Sequence, residues 1–165
     1  MASYPVHDRV QPNYQLGGTN IQATVQLLRN LLAIEYVLLV KTQNYHWNVT
    51  GMSFGSIHKM LDKQYKQLSK FVDRLAEQIR KYGTASPGSL LEFLQLNQGP
   101  FAIQEIPGQL IAEELLLDDL ARSNEQLIAY INTAPRERLD LATENLFAEI
   151  LDFHMKNVWM LRSHY

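Results

Sequence analysis

Apolar residues recur at intervals of three and four along four long segments of this chain, a period typical of α-helices. The second segment shows the pattern most clearly, and its apolar stripe consists of Ile57, Leu61, Leu68, Phe71, Leu75 and Ile79. The two-residue alternation of a half-buried strand does not occur in the sequence. Four long helices with apolar stripes predict an all-α bundle.

Capping residues and glycines indicate where the first two helices begin and end. Thr19 and Gln22 have the spacing of a capping box and predict a first helix of about 30 residues. Gly51 is the stop signal expected after that helix. The second helix is predicted to begin near Ser53 and to end before Gly83. Such a short turn makes the two helices antiparallel neighbours.

The connection between the second and third long helices, Gly83 to Gly108, is long and rich in Gly and Pro. It holds one short helical candidate, Ser89 to Leu94, in which Glu92 is placed to complete a capping box. The third long helix is predicted over about Gln109 to Asn132, and the fourth from about Leu139 almost to the C-terminus. A long crossover lets two consecutive helices run parallel, as in ferritin-like four-helix bundles.

Composition limits the classes of function. Residues 1–18 have no helical period, so we predict an extended tail followed by one bundle domain over 19–165. The absence of cysteine excludes thiolate metal sites and suits a reducing cytoplasm. We expect no signal peptide, because Met1 to Gly18 has no apolar core segment. We expect no membrane span, because the apolar run Leu31 to Val40 is short and contains Glu35. A formal net charge of −2 argues against strong nucleic-acid binding.

Histidine and carboxylate residues are concentrated where the first helix ends and along the second. His58 and Asp62 are spaced i, i+4, and Asp73 and Glu77 repeat that spacing, so all four lie on one stripe. His46, near the end of the first helix, is expected to lie close to the start of the second. Imidazole and carboxylate ligands together suit iron or zinc. A solvated helix face with chance spacing is the alternative interpretation.

The rise of the helix limits which of these residues can share one metal ion. Asp62 and Asp73 are eleven positions apart, which is about 16 Å along the axis, whereas metal–ligand bonds are about 2 Å long. Either the two pairs form separate half-sites or they combine across subunits at a two-fold axis. The Glu-x-x-His motif of the ordinary di-iron bundle does not occur in the sequence, which favours the intersubunit interpretation.

These residues resemble the Dps family of mini-ferritins, the DNA-binding proteins from starved cells. The resemblance covers nearly the whole chain, and its motifs are Tyr45-His46-Trp47-Asn48, Gly51, Phe54, His58, Asp62, Asp73-x-x-Ala76-Glu77 and the ending Trp159-Met160-Leu161-Arg162-Ser163. It implies a hollow shell of twelve subunits. It also implies a metal site made by His46, His58 and Asp62 of one subunit with Asp73 and Glu77 of its two-fold mate.

The same resemblance implies a ferroxidase and iron store. In the family, ferrous iron is oxidised at this site, preferably by hydrogen peroxide rather than oxygen. Ferric mineral is kept in the cavity, and DNA is protected from oxidation. Zinc is an alternative occupant of the same ligands.

Several further residues have two interpretations each. In the family, the Trp at the position of Trp47 lies near the iron site, where it either donates an electron or packs at the interface. Asp140, Glu144 and Glu149 either line a three-fold pore through which iron enters or form an exposed helix face. His154 lies on the apolar stripe of the fourth long helix, where it is either a core histidine with satisfied hydrogen bonds, which we expect, or a metal ligand.

The N-terminal tail departs from the DNA-binding members of the family, which often carry Lys-rich tails. Residues 1–18 contain Arg9, balanced by Asp8, and no Lys. We therefore predict that DNA binding is weak or absent. A nucleoid protein that compacts DNA is the competing function, and a hydrolase is disfavoured because the sequence offers no nucleophile–base pair.

Overall fold

The computed structural model describes residues 19–104 and 112–164. They form five α-helices: α1 (Ile21–Asn48), α2 (Phe54–Lys81), α3 (Leu90–Leu96), α4 (Glu113–Thr133) and α5 (Leu141–Arg162), with a 3-10 helix, Arg136–Arg138, between α4 and α5. No β-strand occurs in these two ranges. The predicted all-α fold is confirmed, with four long helices and a short helix in the crossover. The predicted tail lies outside the described residues.

The most extensive packing joins α1 to α2 and α4 to α5, and α1 also contacts α3 and α4. The core between the helices is mainly leucine and isoleucine, and its largest fully buried side chains include Leu28, Leu32, Leu61, Leu75, Ile79 and Leu120. Each such side chain contributes about 1.5–3 kcal/mol when it is removed from water. The apolar stripes of the four long helices therefore stabilise the fold only when they pack against one another.

By length and composition alone, α1 could cross a membrane, and it is the one helix among the described residues for which this holds. However, 61% of its most apolar window is buried inside the bundle. It also carries Glu35 and Lys41, which are buried and paired with His154 and Asp119 on other helices. We therefore assign α1 as a core helix of the bundle, in agreement with the prediction that Leu31 to Val40 does not span a membrane.

The capping box predicted for α1 on Thr19 and Gln22 is wrong. Asn20 is the N-cap, and its side-chain oxygen accepts a hydrogen bond from the backbone N–H of Ala23 at 3.1 Å. Thr and Asn both serve as N-caps, and the two stand side by side in this sequence. The helix therefore begins one residue later than the motif indicated.

The predicted start and end of α2 and the predicted start of α3 are confirmed, whereas α3 ends at Leu96, two residues beyond the predicted Leu94. Ser53 is the N-cap of α2, and Gly83 follows the helix with a φ of 78°. In α3, Ser89 Oγ accepts from Glu92 N at 3.3 Å, and Ser89 N donates to Glu92 Oε2 at 3.0 Å, completing the capping box. Hydrogen bonds from the Ser89 hydroxyl and from the backbone N–H groups of Gly88 and Ser89 lower the pKa of Glu92.

The last two helices begin later than predicted. Ala112 is extended, with ψ of 142°, so α4 starts at Glu113 and not near Gln109. Residues 109–111 of the predicted segment lie outside the described residues. The side chain of Asp140 accepts hydrogen bonds from two backbone N–H groups of the first turn of α5 at 3.0 and 3.1 Å. This cap places the start of α5 after Asp140, beyond the predicted Leu139.

Candidate metal centre

A tight turn joins α1 to α2 and brings two of the predicted ligands together. Gly51 lies in this turn with φ of 125°, a left-handed conformation that glycine adopts without strain. A Cβ at Gly51 would lie 2.4 Å from Glu113 Oε2, and the same oxygen accepts a hydrogen bond from Ser53 N at 3.3 Å. Beyond the turn, the rings of His46 and His58 stack with their centroids 3.8 Å apart.

The ring of each histidine is hydrogen-bonded to the backbone carbonyl of the other. His46 Nδ1 lies 3.0 Å from the carbonyl oxygen of His58, and His58 Nδ1 lies 2.8 Å from the carbonyl oxygen of His46. A carbonyl oxygen only accepts hydrogen bonds, so each Nδ1 carries the proton. In a neutral imidazole this leaves a lone pair on Nε2, which is the protonation state that metal-ligating histidines have.

Asp62 lies one turn after His58, and both of its carboxylate oxygens have partners on the same helix. The hydroxyl of Tyr65 donates to Oδ1 at 3.1 Å, and Lys66 Nζ donates to Oδ2 at 2.8 Å. The hydrogen bond from Lys66 is the main cause that lowers the pKa of Asp62. The hydrogen bond from Tyr65, and then the positive charge of Lys66, lower it further. Asp62 is therefore ionised at neutral pH, and its role as a metal ligand stays a prediction.

Asp73 and Glu77 lie further along α2, and both are exposed. Because α2 is one continuous helix from Phe54 to Lys81, Asp62 and Asp73 lie about 16 Å apart along its axis, as the sequence predicted. Within residues 19–104 and 112–164 of one chain, no group of three or more His, Asp, Glu or Cys side chains is arranged to hold one metal ion. One chain thus brings His46 and His58 together beside Asp62 and leaves Asp73 and Glu77 apart from them.

The end of α1 that carries His46 is anchored to α4. Tyr45 donates to Asp119 Oδ2 at 2.7 Å, and Lys41 Nζ lies 2.6 Å from the same oxygen. Lys41 also donates to Ser123 Oγ at 3.0 Å. Burial raises the pKa of Tyr45 well above its usual range, and the hydrogen bond to Asp119 adds to the shift. This network holds the last turns of α1 in place, and with them the first histidine.

The turn that carries these ligands also presents apolar side chains to solvent. Trp47, Met52 and Phe54 are all exposed, and 68% of the Trp47 surface is accessible. The ring of Phe54 lies 5.0 Å from that of His58. Exposed apolar side chains that lie close together are typical of surfaces to which another protein binds. Within one chain Trp47 is thus a surface residue next to the histidines.

Two of the three residues considered for a pore make contacts within the chain. Asp140 caps α5 and also accepts a hydrogen bond from the hydroxyl of Tyr82. Glu149 forms a two-point ion pair with Arg74, in which Nη1–Oε2 is 2.5 Å and Nη2–Oε1 is 3.1 Å. Glu144 lies half-exposed in the first turn of α5. The pore therefore stays a prediction, and Asp140 and Glu149 already have structural partners.

His154 is a fully buried histidine with a partner on each ring nitrogen, as predicted. Nδ1 lies 2.7 Å from Asn124 Oδ1, and Nε2 lies 3.0 Å from Glu35 Oε1. The sequence analysis did not find these partners, nor the contact of Tyr65 and Lys66 with Asp62. The i, i+3 and i, i+4 spacings to Asp62 could have revealed the latter two.

Comparison with known proteins identifies the family to which this chain belongs. A model of the ferritin-like domain, of the family named Ferritin, matches residues 25–165. A protein of Brevibacillus brevis named DNA protection during starvation protein is 31% identical over 150 residues, covering 88% of this chain and 97% of that protein. The chain belongs to the Dps family of ferritin-like proteins. The resemblance found in its sequence motifs is thereby confirmed.

Two further relatives extend the comparison. A low temperature-induced protein of Nostoc is 32% identical over 158 residues, covering 92% of this Dps-family chain and 86% of that protein. The crystal structure of a Dps protein from Bacillus brevis matches with a TM-score of 0.80 at 27% identity, covering 87% of this chain and 95% of that one. Iron storage and protection against oxidative damage are the general function of this family, and hence of this chain.

Proposed function

We propose that this Dps-family protein is a ferroxidase and iron store whose oxidation sites are completed between two subunits. Fe(II) is the substrate, hydrogen peroxide is the preferred oxidant, and the ferric mineral is kept in the cavity of a twelve-subunit shell in the cytoplasm. The observation that carries the proposal is the reciprocal bonding of His46 and His58. It leaves a lone pair on each Nε2, and the ionised Asp62 follows His58 by one turn of α2.

The ligands suit iron. Two imidazole nitrogens and a carboxylate from one subunit, joined by Asp73 and Glu77 from another, make a mixed nitrogen and oxygen set that binds Fe(II) and also accepts zinc. The backbone carbonyls that hold each Nδ1 fix the ring orientation, as outer partners do around metal-ligating histidines. Tyr65 holds one oxygen of Asp62 in the same way.

A second subunit supplies what one chain lacks. A two-fold contact is self-complementary, so it sets the His58 end of each α2 against the Asp73 end of the other and makes two equal sites. The exposed Trp47, Met52 and Phe54 beside the histidines are the surface that such a contact covers. Trp47 keeps both of its predicted roles in this arrangement, packing at the interface and donating an electron.

Electron balance explains why hydrogen peroxide suits this reaction as the oxidant. Two Fe(II) ions each give one electron, and together with two protons they reduce one peroxide to two water molecules. Because both electrons are delivered at one place, no hydroxyl radical is released. In this way the protein removes iron and peroxide together, and DNA is protected whether or not the protein binds it.

A complementation experiment tests the intersubunit site. Asp62→Ala and Glu77→Ala each damage one half of every site, so each variant alone should lose fast oxidation of Fe(II). When the two variants are co-assembled in equal amounts, every mixed pair contains one site with both halves intact and one with both damaged. Random pairing makes half of the pairs mixed, so about a quarter of the wild-type rate should return.

The rate is measured by loading Fe(II) anaerobically, adding peroxide or oxygen, and following the absorbance of the ferric product. The matched control combines Asp62→Ala with His58→Ala, two changes in the same half, and should show no recovery. Size-exclusion chromatography checks that all variants remain assembled. A single variant with the full wild-type rate would reject the ligand assignment, and absence of recovery in the mixture would reject the sharing between subunits.

A further inference from the structure

Lys66 places a positive charge directly on one of the proposed metal ligands. Its Nζ lies 2.8 Å from Asp62 Oδ2, in an i, i+4 ion pair on α2. We propose that Lys66 is a built-in competitor that a metal cation must displace from Asp62, and that it thereby sets the metal affinity of the centre. This inference rests on the proposed function, since it takes Asp62 as a ligand.

The ligands of the half-site differ in what holds them. The rings of His46 and His58 are held by neutral carbonyl oxygens through Nδ1, which leaves Nε2 uninvolved in that contact. Asp62 Oδ1 is held by the neutral hydroxyl of Tyr65. Among the ion pairs of the described residues, Asp62 is the one ligand of this half-site with a Lys or Arg partner. The competition is therefore confined to Asp62 Oδ2.

The physical properties of Lys66 allow it to leave. Its side chain is 62% exposed, so the ammonium group can turn into solvent without losing a buried contact. An ammonium group is a compact point charge on a flexible stem, and a divalent cation bound at Oδ2 repels it. Metal binding thus exchanges one cation for another at this oxygen, whereas the Tyr65 hydrogen bond can persist.

Orientation of Asp62 is the opposing explanation, and it predicts the opposite sign. If Lys66 serves to point the carboxylate at the metal, its removal weakens binding. If it competes, its removal strengthens binding, and the strengthening fades at high salt because screening reduces the effect of an exposed charge. The salt dependence separates competition from a purely structural role.

Zinc alone, which undergoes no redox reaction, is the probe, and calorimetric titration of the assembled protein is the measurement. We expect Lys66→Gln to bind Zn²⁺ about two- to five-fold more tightly at low salt, in line with the strength of exposed ion pairs. Lys66→Arg keeps the charge and should bind as the wild type does. Lys63→Gln is the matched control, because Lys63 is an exposed lysine of α2 outside the ion pairs of the described residues.

Three results would overturn the inference: weaker or unchanged Zn²⁺ binding by Lys66→Gln, equal tightening by Lys63→Gln, or tightening by Lys66→Arg. Asp62→Ala distinguishes this failure from failure of the proposed function. If Asp62→Ala binds Zn²⁺ as tightly as the wild type, the proposed site itself is wrong and the inference fails with it. If Asp62→Ala loses binding and Lys66→Gln does not change it, only the role of Lys66 is rejected.

Discussion

At the scale of single residues, the contact between His154 and Glu35 is the most demanding in the core, because neither side chain has any exposed surface. The side chain of Asn124 fixes the orientation of the His154 ring. Its Nδ2 donates to the carbonyl oxygen of Leu120 at 2.7 Å, so its Oδ1 faces His154 Nδ1. Because Oδ1 only accepts hydrogen bonds, His154 Nδ1 carries a proton. A further proton lies between His154 Nε2 and Glu35 Oε1, since two acceptors would repel each other at 3.0 Å. The cluster ties α1, α4 and α5 together.

Removing the histidine leaves the carboxylate buried without its partner. We expect His154→Ala to lower the free energy of unfolding by about 3–5 kcal/mol, the usual cost of breaking a buried pair by deleting one member. Glu35→Gln should cost less, because its amide can donate to the lone pair on His154 Nε2. The measurement is urea unfolding followed by circular dichroism. A loss below about 1 kcal/mol for His154→Ala would contradict this account of the core.

At the scale of elements, α2 and α5 are in contact, and a two-point ion pair joins them. Arg74 on α2 donates to both carboxylate oxygens of Glu149 on α5. The hydrogen bond from Arg74 is the main cause that lowers the pKa of Glu149, with the Arg74 charge as a smaller cause. Both side chains are about half exposed, so water and salt screen the pair.

The sign of the resulting pH dependence follows from the lowered pKa. A carboxyl group with a lower pKa in the folded state stabilises the fold above its ordinary pKa, and this contribution is lost as pH falls through the lowered value. Arg74→Gln should therefore reduce the free energy of unfolding by about 0.2–1 kcal/mol at neutral pH. The difference from the wild type should vanish at strongly acidic pH.

The measurement is urea unfolding of the wild type and Arg74→Gln at neutral and acidic pH. Arg80→Gln is the control, because Arg80 is an exposed arginine of α2 outside the ion pairs of the described residues. A difference between wild type and Arg74→Gln that persists unchanged at acidic pH would show that the pair does not link α2 to α5 through charge.

At the scale of the whole molecule, charge argues against DNA as a partner. The formal net charge is −2 at pH 7, and residues 1–18 contain Arg9 and Asp8 with no Lys. Affinity for the phosphate backbone comes from Lys and Arg that release condensed counterions. We therefore predict no stable complex with duplex DNA at physiological salt, although DNA should still be protected from iron and peroxide.

Paired assays check this prediction. A gel shift at physiological salt should show free DNA, and a plasmid nicking assay with iron and peroxide should show protection by the same protein. The control is the chain without residues 1–18, which should behave identically in both assays. A salt-sensitive shift that disappears in this shortened chain would overturn the prediction and favour the competing nucleoid function.

The sequence by itself determined the features that depend on short spacings. Helical periodicity predicted the all-α bundle, and the Ser89–Glu92 capping box lies where its motif placed it, because a capping box joins residues three apart. The i, i+4 pairs of α2 predicted one stripe of ligands. Where neighbouring residues compete for one role, as Thr19 and Asn20 do for the N-cap, spacing alone chose the wrong residue.

Only the tertiary structure decided which distant groups meet. His154 was predicted to be satisfied in the core, but its partner Glu35 is 119 positions away, and no local period connects them. The protonation of His46 and His58 likewise follows from the crossing of two helices, because each ring bonds to the other residue's carbonyl. Such contacts depend on how helices pack in three dimensions, whereas periodicity records only which face of each helix is buried.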